Sequence, residues 1–310
     1  MTRHGAGTGD PAGRGEGAGR GDEAPRGSAA ATTLSRRERE RRAATGAGAR
    51  SAPLPLLLPA VVAVAFLVIP LTALLVRAPW GDAWEILRGS QAEEALRLSL
   101  WTSTVATLIS VAVGVPLAWV LARTDFPGLR LVRALVTLPL VLPPVVGGVA
   151  LLLAFGRNGF LGQYLDQWFG ITIPFTPAAV VMAETFVAMP FLVVTVEGAL
   201  RSADRGFEEA AATLGARRMT VFRRVTLPLV LPSLGAGAVL CWARALGEFG
   251  ATITFAGSFP GRTQTMPIAV YYALETDPEA AILLSLVLLL VSVLVLVLLR
   301  DKWLGGGTTS

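Results

Sequence analysis

Twenty residues near the C-terminal end, Ala280 to Leu299, are Ala, Ile, Leu and Val with two serines and nothing else. As an α-helix, rising 1.5 Å per residue, such a run spans roughly 30 Å, the thickness of a bilayer's hydrocarbon core. Its side chains are apolar on every side, so it has no face to turn to water. The rest of the chain has the same bias: 53% of the 310 residues are hydrophobic and the mean hydropathy is +0.59. An all-α membrane protein is expected, because a helix satisfies its backbone polar groups within its own segment.

Six spans can be drawn, at Leu54–Val76, Leu96–Ala122, Ala134–Phe155, Pro177–Leu200, Leu229–Ile253 and Glu279–Leu299. With the N-terminus inside, the inner flanks hold eleven Lys and Arg against five on the outer ones. That asymmetry puts both termini in the cytoplasm. Residues 1–52 form a Gly/Ala/Arg-rich tail with too few large apolar side chains to offset the entropy of ordering, and it reads as disordered. Residues 53–304 form the transmembrane domain, with its core at about 92–300, and 305–310 a flexible end. The first fifty residues carry ten Arg against six acids, so +4 of the net +5 lies in the tail. The basic balance therefore marks a tail and not a nucleic-acid site. The Arg36–Arg42 cluster reads as a cytoplasmic flank for anionic lipid, a twin-arginine export signal being the other reading.

Two scarcities exclude chemistry. Lys302 is the only lysine, so the chain has no G-x4-G-K-[ST] phosphate loop, and His4 is the only histidine. The lone Cys241 lies in an apolar segment and reads as a small core residue. No catalytic residue and no metal ligand set is assigned.

Between the fourth and fifth spans, residues 202–228 read as two short helices around a glycine stop. Ser202 or Asp204 caps the first helix, and Glu208 and Glu209 lie where its dipole favours anions. Ala210, Ala211 and Ala212 leave one face thin, and Gly215 suits a left-handed helix end. Met219, Phe222 and Val225 follow at helical spacing, and Leu227-Pro228 closes the segment. An amphipathic connector on the lipid surface has the same pattern. Yet Glu209-Ala210-Ala211, Gly215 and Val225-Thr226-Leu227-Pro228 match E-A-A-x3-G-x9-I-x-L-P at every fixed position but one, where Val225 replaces Ile. The segment resembles the coupling loop of ATP-binding-cassette (ABC) importer permeases. The resemblance implies the type I importer permease fold with six transmembrane helices. It also implies docking on a separate ATPase through Glu208, Glu209, Ala210, Ala211, Gly215, Phe222, Val225, Leu227 and Pro228. No cofactor would sit in this chain; ATP and Mg would bind the partner.

The third span carries Pro139, Pro143 and Pro144, then Gly147 and Gly148, and is expected to kink or unwind, either to line a pathway or as a packing bend. Arg244 and Glu248 are one helical turn apart, so they can neutralise each other within the membrane, as a structural pair or beside a path. Glu184 and Glu197 are further acids in the fourth span. The Gly257–Thr265 loop supplies donors to the passage or is a turn. The run Ala243–Thr252 resembles the oxyanion branch of the importers, which serves molybdate, tungstate and sulfate. Phe255-Ala256-Gly257 and Gly261–Tyr271, with Leu138–Pro144 and Gly156-Arg157-Asn158-Gly159, are more similar to the molybdate permeases, with molybdate or tungstate as the implied cargo. That likeness implies a homodimer in the plasma membrane with two ATPase subunits and an extracytoplasmic molybdate-binding protein. Pro139, Pro143, Pro144, Arg244, Glu248, Phe249, Gly250 and Thr252 are the pathway or gate candidates. A sulfate or thiosulfate permease is the rival within the class. An ion-gradient secondary transporter and a membrane-embedded enzyme are the rivals outside it.

Overall fold

The computed structural model of the chain describes residues 54–304, Ser90 excepted, and every element among them is helical. The expected tail at 1–52 and flexible end at 305–310 lie outside the described residues. In order, the helices are α1 (Leu54–Arg77), α2 (Ala83–Gly89), α3 (Ala92–Arg123), α4 (Leu129–Val141), α5 (Pro144–Phe155) and α6 (Gly162–Phe169). After these come α7 (Pro177–Ser202), α8 (Gly206–Thr213), α9 (Arg218–Val221), a π turn (Phe222–Thr226), α10 (Leu227–Leu246), α11 (Gly250–Ala256), α12 (Met266–Thr276) and α13 (Pro278–Leu304). Two compact units divide the chain, residues 1–66 and 67–310. Within the first, the described part of α1 is apolar and largely exposed, as a lipid-facing helix must be.

Five helices are long and apolar enough to cross a membrane, and α4 with α5 makes a sixth if the pair, bent by 120°, is one span. The expected break in the third span is there, but Pro139 does not make it. Pro139 sits inside α4, and the chain turns at Leu142-Pro143. Proline holds Leu142 in extended backbone, as it does to most residues that precede it. The fifth span departs from expectation at both ends. It starts earlier, because α9 runs through the π turn into α10, and Leu227-Pro228 continues the helix where closure was expected. The amide of Leu227 bonds to the Phe222 carbonyl, five residues back, and the widened turn leaves room for the Pro228 ring. It ends earlier, at Leu246 instead of Ile253, and α11 is a separate helix.

In the second unit α7 is the spine. Ala188, Leu192, Val193, Val196 and Leu200 pack with Ala106, Ala118 and Leu121 of α3 and with Val230, Cys241 and Ala245 of α10. Nearer its N-terminal end, Ala179, Val180, Ala183 and Val187 pack with Leu151 of α5 and with Ala251 and Phe255 of α11. Small and hydroxyl residues make this possible, since helices in lipid associate through close packing and not through water exclusion. On α3, Ser99, Ser103, Ala106, Ser110 and Gly114 lie three or four residues apart and all are buried. A Cβ on Gly114 would meet Val193 Cγ2 at 3.1 Å, and one on Gly237 of α10 would meet Leu192 Cδ1 at 3.1 Å. Ser103 and Ser110 bond back along the helix, Ser110 to the Ala106 carbonyl at 2.7 Å, while Ser99 Oγ accepts the Met266 amide at 2.8 Å.

Candidate functional site

The loop between α7 and α10 forms the two helices the motif requires. Asp204 Oδ1 accepts the Gly206 amide at 2.8 Å, which starts α8. Gly215 ends it at φ +82°, with its own amide on the Ala212 carbonyl and that of Ala216 on the Ala211 carbonyl. Glu209 and Ala210 are exposed and Ala211 is half-buried, so the thin alanine face stands partly open. Phe222 is half-buried with its ring edge-on to Trp119, at 6.2 Å between centroids. Val225 and Leu227 are half-buried and Pro228 is exposed. The expected apolar stripe divides: Met219 is 67% exposed while Phe222 and Val225 turn inward. Together with exposed Phe207 and Leu214, Met219 gives the elbow an uncovered apolar surface.

Sequence reading placed Glu208 and Glu209 together; the structure separates them. Glu208 turns inward, where its Oε1 meets an Nη of Arg123 at 2.8 Å and accepts the Thr226 hydroxyl at 3.0 Å. Arg123 closes α3 and its side chain is only 5% exposed. Neither Arg123 nor Thr226 was singled out in the sequence. Three more arginines converge on the same helix end. Arg133 and Arg201 reach the Leu121 carbonyl at 3.2 and 3.4 Å, and Arg205 reaches that of Ala122 at 3.4 Å. These carbonyls belong to the last turn of α3, which has no helical donors of its own and attracts cations. Glu197 completes the cluster, pairing with Arg133 and Arg201, each at 3.0 Å. A cleft of about 340 Å³ opens between this cluster and the elbow, lined by Trp119, Arg123, Glu208, Glu209 and Phe222 among others.

The pathway candidates gather at the two breaks. A Cβ on Gly250 would lie 2.8 Å from Pro144 Cβ and 3.2 Å from the Val145 amide nitrogen, so the first turns of α5 and α11 touch. Gly148 is tighter still: its Cβ would collide with Thr254 Oγ1 and come within 2.7 Å of the Ala251 carbonyl oxygen. Pro143 and Pro144 are exposed beside this contact, whereas Pro139 is set back along α4. Arg244 Nη2 lies 2.6 Å from Glu248 Oε2, a charge contact without the alignment of a hydrogen bond. Glu248 Oε1 accepts the Ala251 amide at 2.8 Å and so caps α11. α10 stops at Gly247, its C-terminal cap, and the Glu248 bond to the Ala251 amide secures the start of the next helix. Phe249 is half-buried against Tyr271, at 5.2 Å between rings. Thr252 is fully buried and its hydroxyl has no partner.

Glu184 is buried on α7, with one oxygen on the Thr102 hydroxyl at 2.9 Å and the other unpaired. The Gly257–Thr265 loop is a turn: the amides of Arg262, Thr263 and Gln264 all converge on the Phe259 carbonyl, and Thr263 Oγ1 accepts the Phe259 amide at 3.0 Å. Among the described residues no group of three or more His, Cys, Asp or Glu is placed to hold a metal ion.

The same fold occurs in a bacterial ABC transporter that imports the acidic polysaccharide alginate, with a TM-score of 0.67 at 16% identity, covering 89% of this chain and all of that one. The two share a multi-pass helical architecture. The chain belongs to the family of binding-protein-dependent transport system inner membrane components, whose pattern matches residues 114–304. It is 51% identical over 238 residues to the molybdenum transport system permease protein ModB of Mycobacterium bovis, covering 77% of this chain and 90% of that protein. It is 38% identical over 234 residues to the sulfate transport system permease protein CysT of Salmonella typhimurium, covering 74% and 84%.

Proposed function

We propose that this chain is the membrane subunit of an ATP-driven importer that carries molybdate into the cytoplasm. The observation that carries the reading is the 51% identity to a molybdenum permease over nine-tenths of that protein's length, against 38% for the sulfate permease. Two copies of the chain form the pathway, and each rests its elbow, Glu209 to Pro228, on one of two ATPase subunits. Both termini are cytoplasmic. An extracytoplasmic binding protein delivers the anion. ATP and Mg act on the ATPase, since a chain whose only lysine is Lys302 has no phosphate loop. The exposed Phe207, Leu214 and Met219 support the docking role, because uncovered apolar side chains on a polar elbow mark a surface that meets a partner. Closure of the ATPases moves the elbows and rocks the helices between outward- and inward-open arrangements. The pathway runs by the contact of α5 with α11, where Arg244 and Glu248 lie.

Growth and labelled-anion uptake in a strain deleted for its own molybdate permease test the cargo. The strain carrying this chain with its ATPase and binding protein is expected to take up labelled molybdate, and excess sulfate is expected to compete poorly. Preferential sulfate uptake would transfer the chain to the sulfate branch.

A further inference from the structure

We infer that Glu208 is the positioning residue through which the elbow moves the membrane helices, by clasping the ends of α3 and α10 to α8; the inference rests on the ATPase-docking reading. A single carboxylate oxygen joins three segments here: Arg123 from the last turn of α3, Thr226 from the π turn that leads into α10, and Glu208 itself from α8. Arg205, just before α8, adds a second tie to the Ala122 carbonyl. A rigid displacement of α8 therefore pulls on α3 and α10 at once. The α10 end matters most, because α10 carries Arg244 at its far end and leads to Glu248. Glu209, one residue on, is exposed and has no part in this clasp's bonds.

Arg123 is more than a structural ion-pair partner. Its Nε and one of its Nη atoms are buried with no acceptor, although its side chain is 95% covered. Buried unpaired donors cost free energy and call for an explanation. A guanidinium that exchanges partners between two arrangements of the helices supplies one: the spare donors are used in the other arrangement. Glu197 with Arg133 and Arg201 on the same helix end offers the acceptors and carbonyls for such an exchange.

The test uses the whole complex in proteoliposomes, permease with its ATPase and binding protein, and reads molybdate imported per ATP hydrolysed. Glu208→Gln keeps the shape but removes the charge, and Thr226→Val removes one donor without touching the exposed face. Both are expected to lower the ratio, Glu208→Gln by about tenfold, within the range of ordinary coupling energies, and Thr226→Val by about threefold, the worth of a single hydrogen bond. Arg123→Lys, which keeps one charged donor, is expected to restore most of the ratio that Arg123→Gln loses. A mere loss of stability would lower the amount of complex without changing this ratio. An unchanged ratio in both Glu208→Gln and Thr226→Val overturns the inference. So does loss of the ATPase from Glu208→Gln with a normal ratio in Thr226→Val, since Glu208 would then serve docking alone. A wild-type complex that fails to import with ATP would instead defeat the parent reading.

Discussion

Arg244, near the end of α10, and Glu248, in the gap before α11, meet at 2.6 Å, with the Glu248 side chain 1% exposed and that of Arg244 28%. The pair does two things at once. It neutralises a charge at membrane depth, and it holds the carboxylate where its other oxygen caps α11. Removing Arg244 leaves Glu248 buried and unpaired, which costs about 3 kcal/mol or more. Arg244→Ala is therefore expected to lower the thermal unfolding temperature of the purified permease more than Arg244→Ala with Glu248→Gln does. Equal losses would mean that the pair carries no net charge penalty.

Gly148 fixes the distance between α5 and α11. Its Cβ would strike Thr254 Oγ1, which can rotate away, but also the Ala251 backbone at 2.7 and 2.9 Å, which cannot. Gly148→Ala is expected to destabilise the protein by about 1–3 kcal/mol. Thr254→Ala in the same chain is expected to leave most of that loss in place, because the backbone clash remains. Full rescue, measured by unfolding in detergent, would show that the side chain alone sets the spacing.

At Gly215 the constraint is conformational. Nothing lies within 4 Å of an added Cβ, yet φ is +82°, so a substitution meets strain without a clash. Gly215→Ala is expected to cost about 1–2 kcal/mol, and Gly215→Asn less, because asparagine tolerates the left-handed region. ATPase co-purification is expected to fall in the order Gly, Asn, Ala, with Asp below Asn because its charge faces the docking surface. Normal assembly and uptake with Gly215→Asp would contradict the docking role.

Asp166 gives a pH-dependent tie outside the spans. The Arg157 guanidinium, at 3.1 Å, and the Thr172 hydroxyl, at 3.0 Å, hold its carboxyl below the usual aspartate range. The folded value is depressed, so this contribution is present above the ordinary aspartate pKa and is lost as pH falls through the lowered one. Fluorescence of the exposed Trp168 on the same helix is expected to change below the normal aspartate midpoint, and Arg157→Ala is expected to move that change upward in pH. A midpoint unaltered by Arg157→Ala would contradict the assignment.

What was legible in the sequence divides along physical lines. Long apolar runs such as Ala280–Leu299 announce themselves, because length and composition alone decide whether a helix suits lipid. The elbow was legible too, since Gly215 and the alanines are required by backbone geometry that acts locally. Long-range pairing was not. Nothing local marks Arg123 as the partner of Glu208, 85 residues on, or separates Glu208 from Glu209. The early stop of α10 left a weaker mark: Ala243–Ile253 carries no proline, but Gly247 stands at the helix end and Glu248 binds the Ala251 amide just beyond it. The stripe from Ser99 to Gly114 was visible as small residues three or four apart, and a search for that spacing would have found the α3–α7 contact.

The most direct test is transport by purified components in sealed proteoliposomes. With this chain, its ATPase and internal ATP, and the binding protein outside, labelled molybdate is expected to enter the lumen, the compartment that the ATPase faces, and omission of either the ATPase or ATP is expected to abolish entry. Accumulation by vesicles holding this chain alone, driven by an imposed ion gradient, would contradict the account.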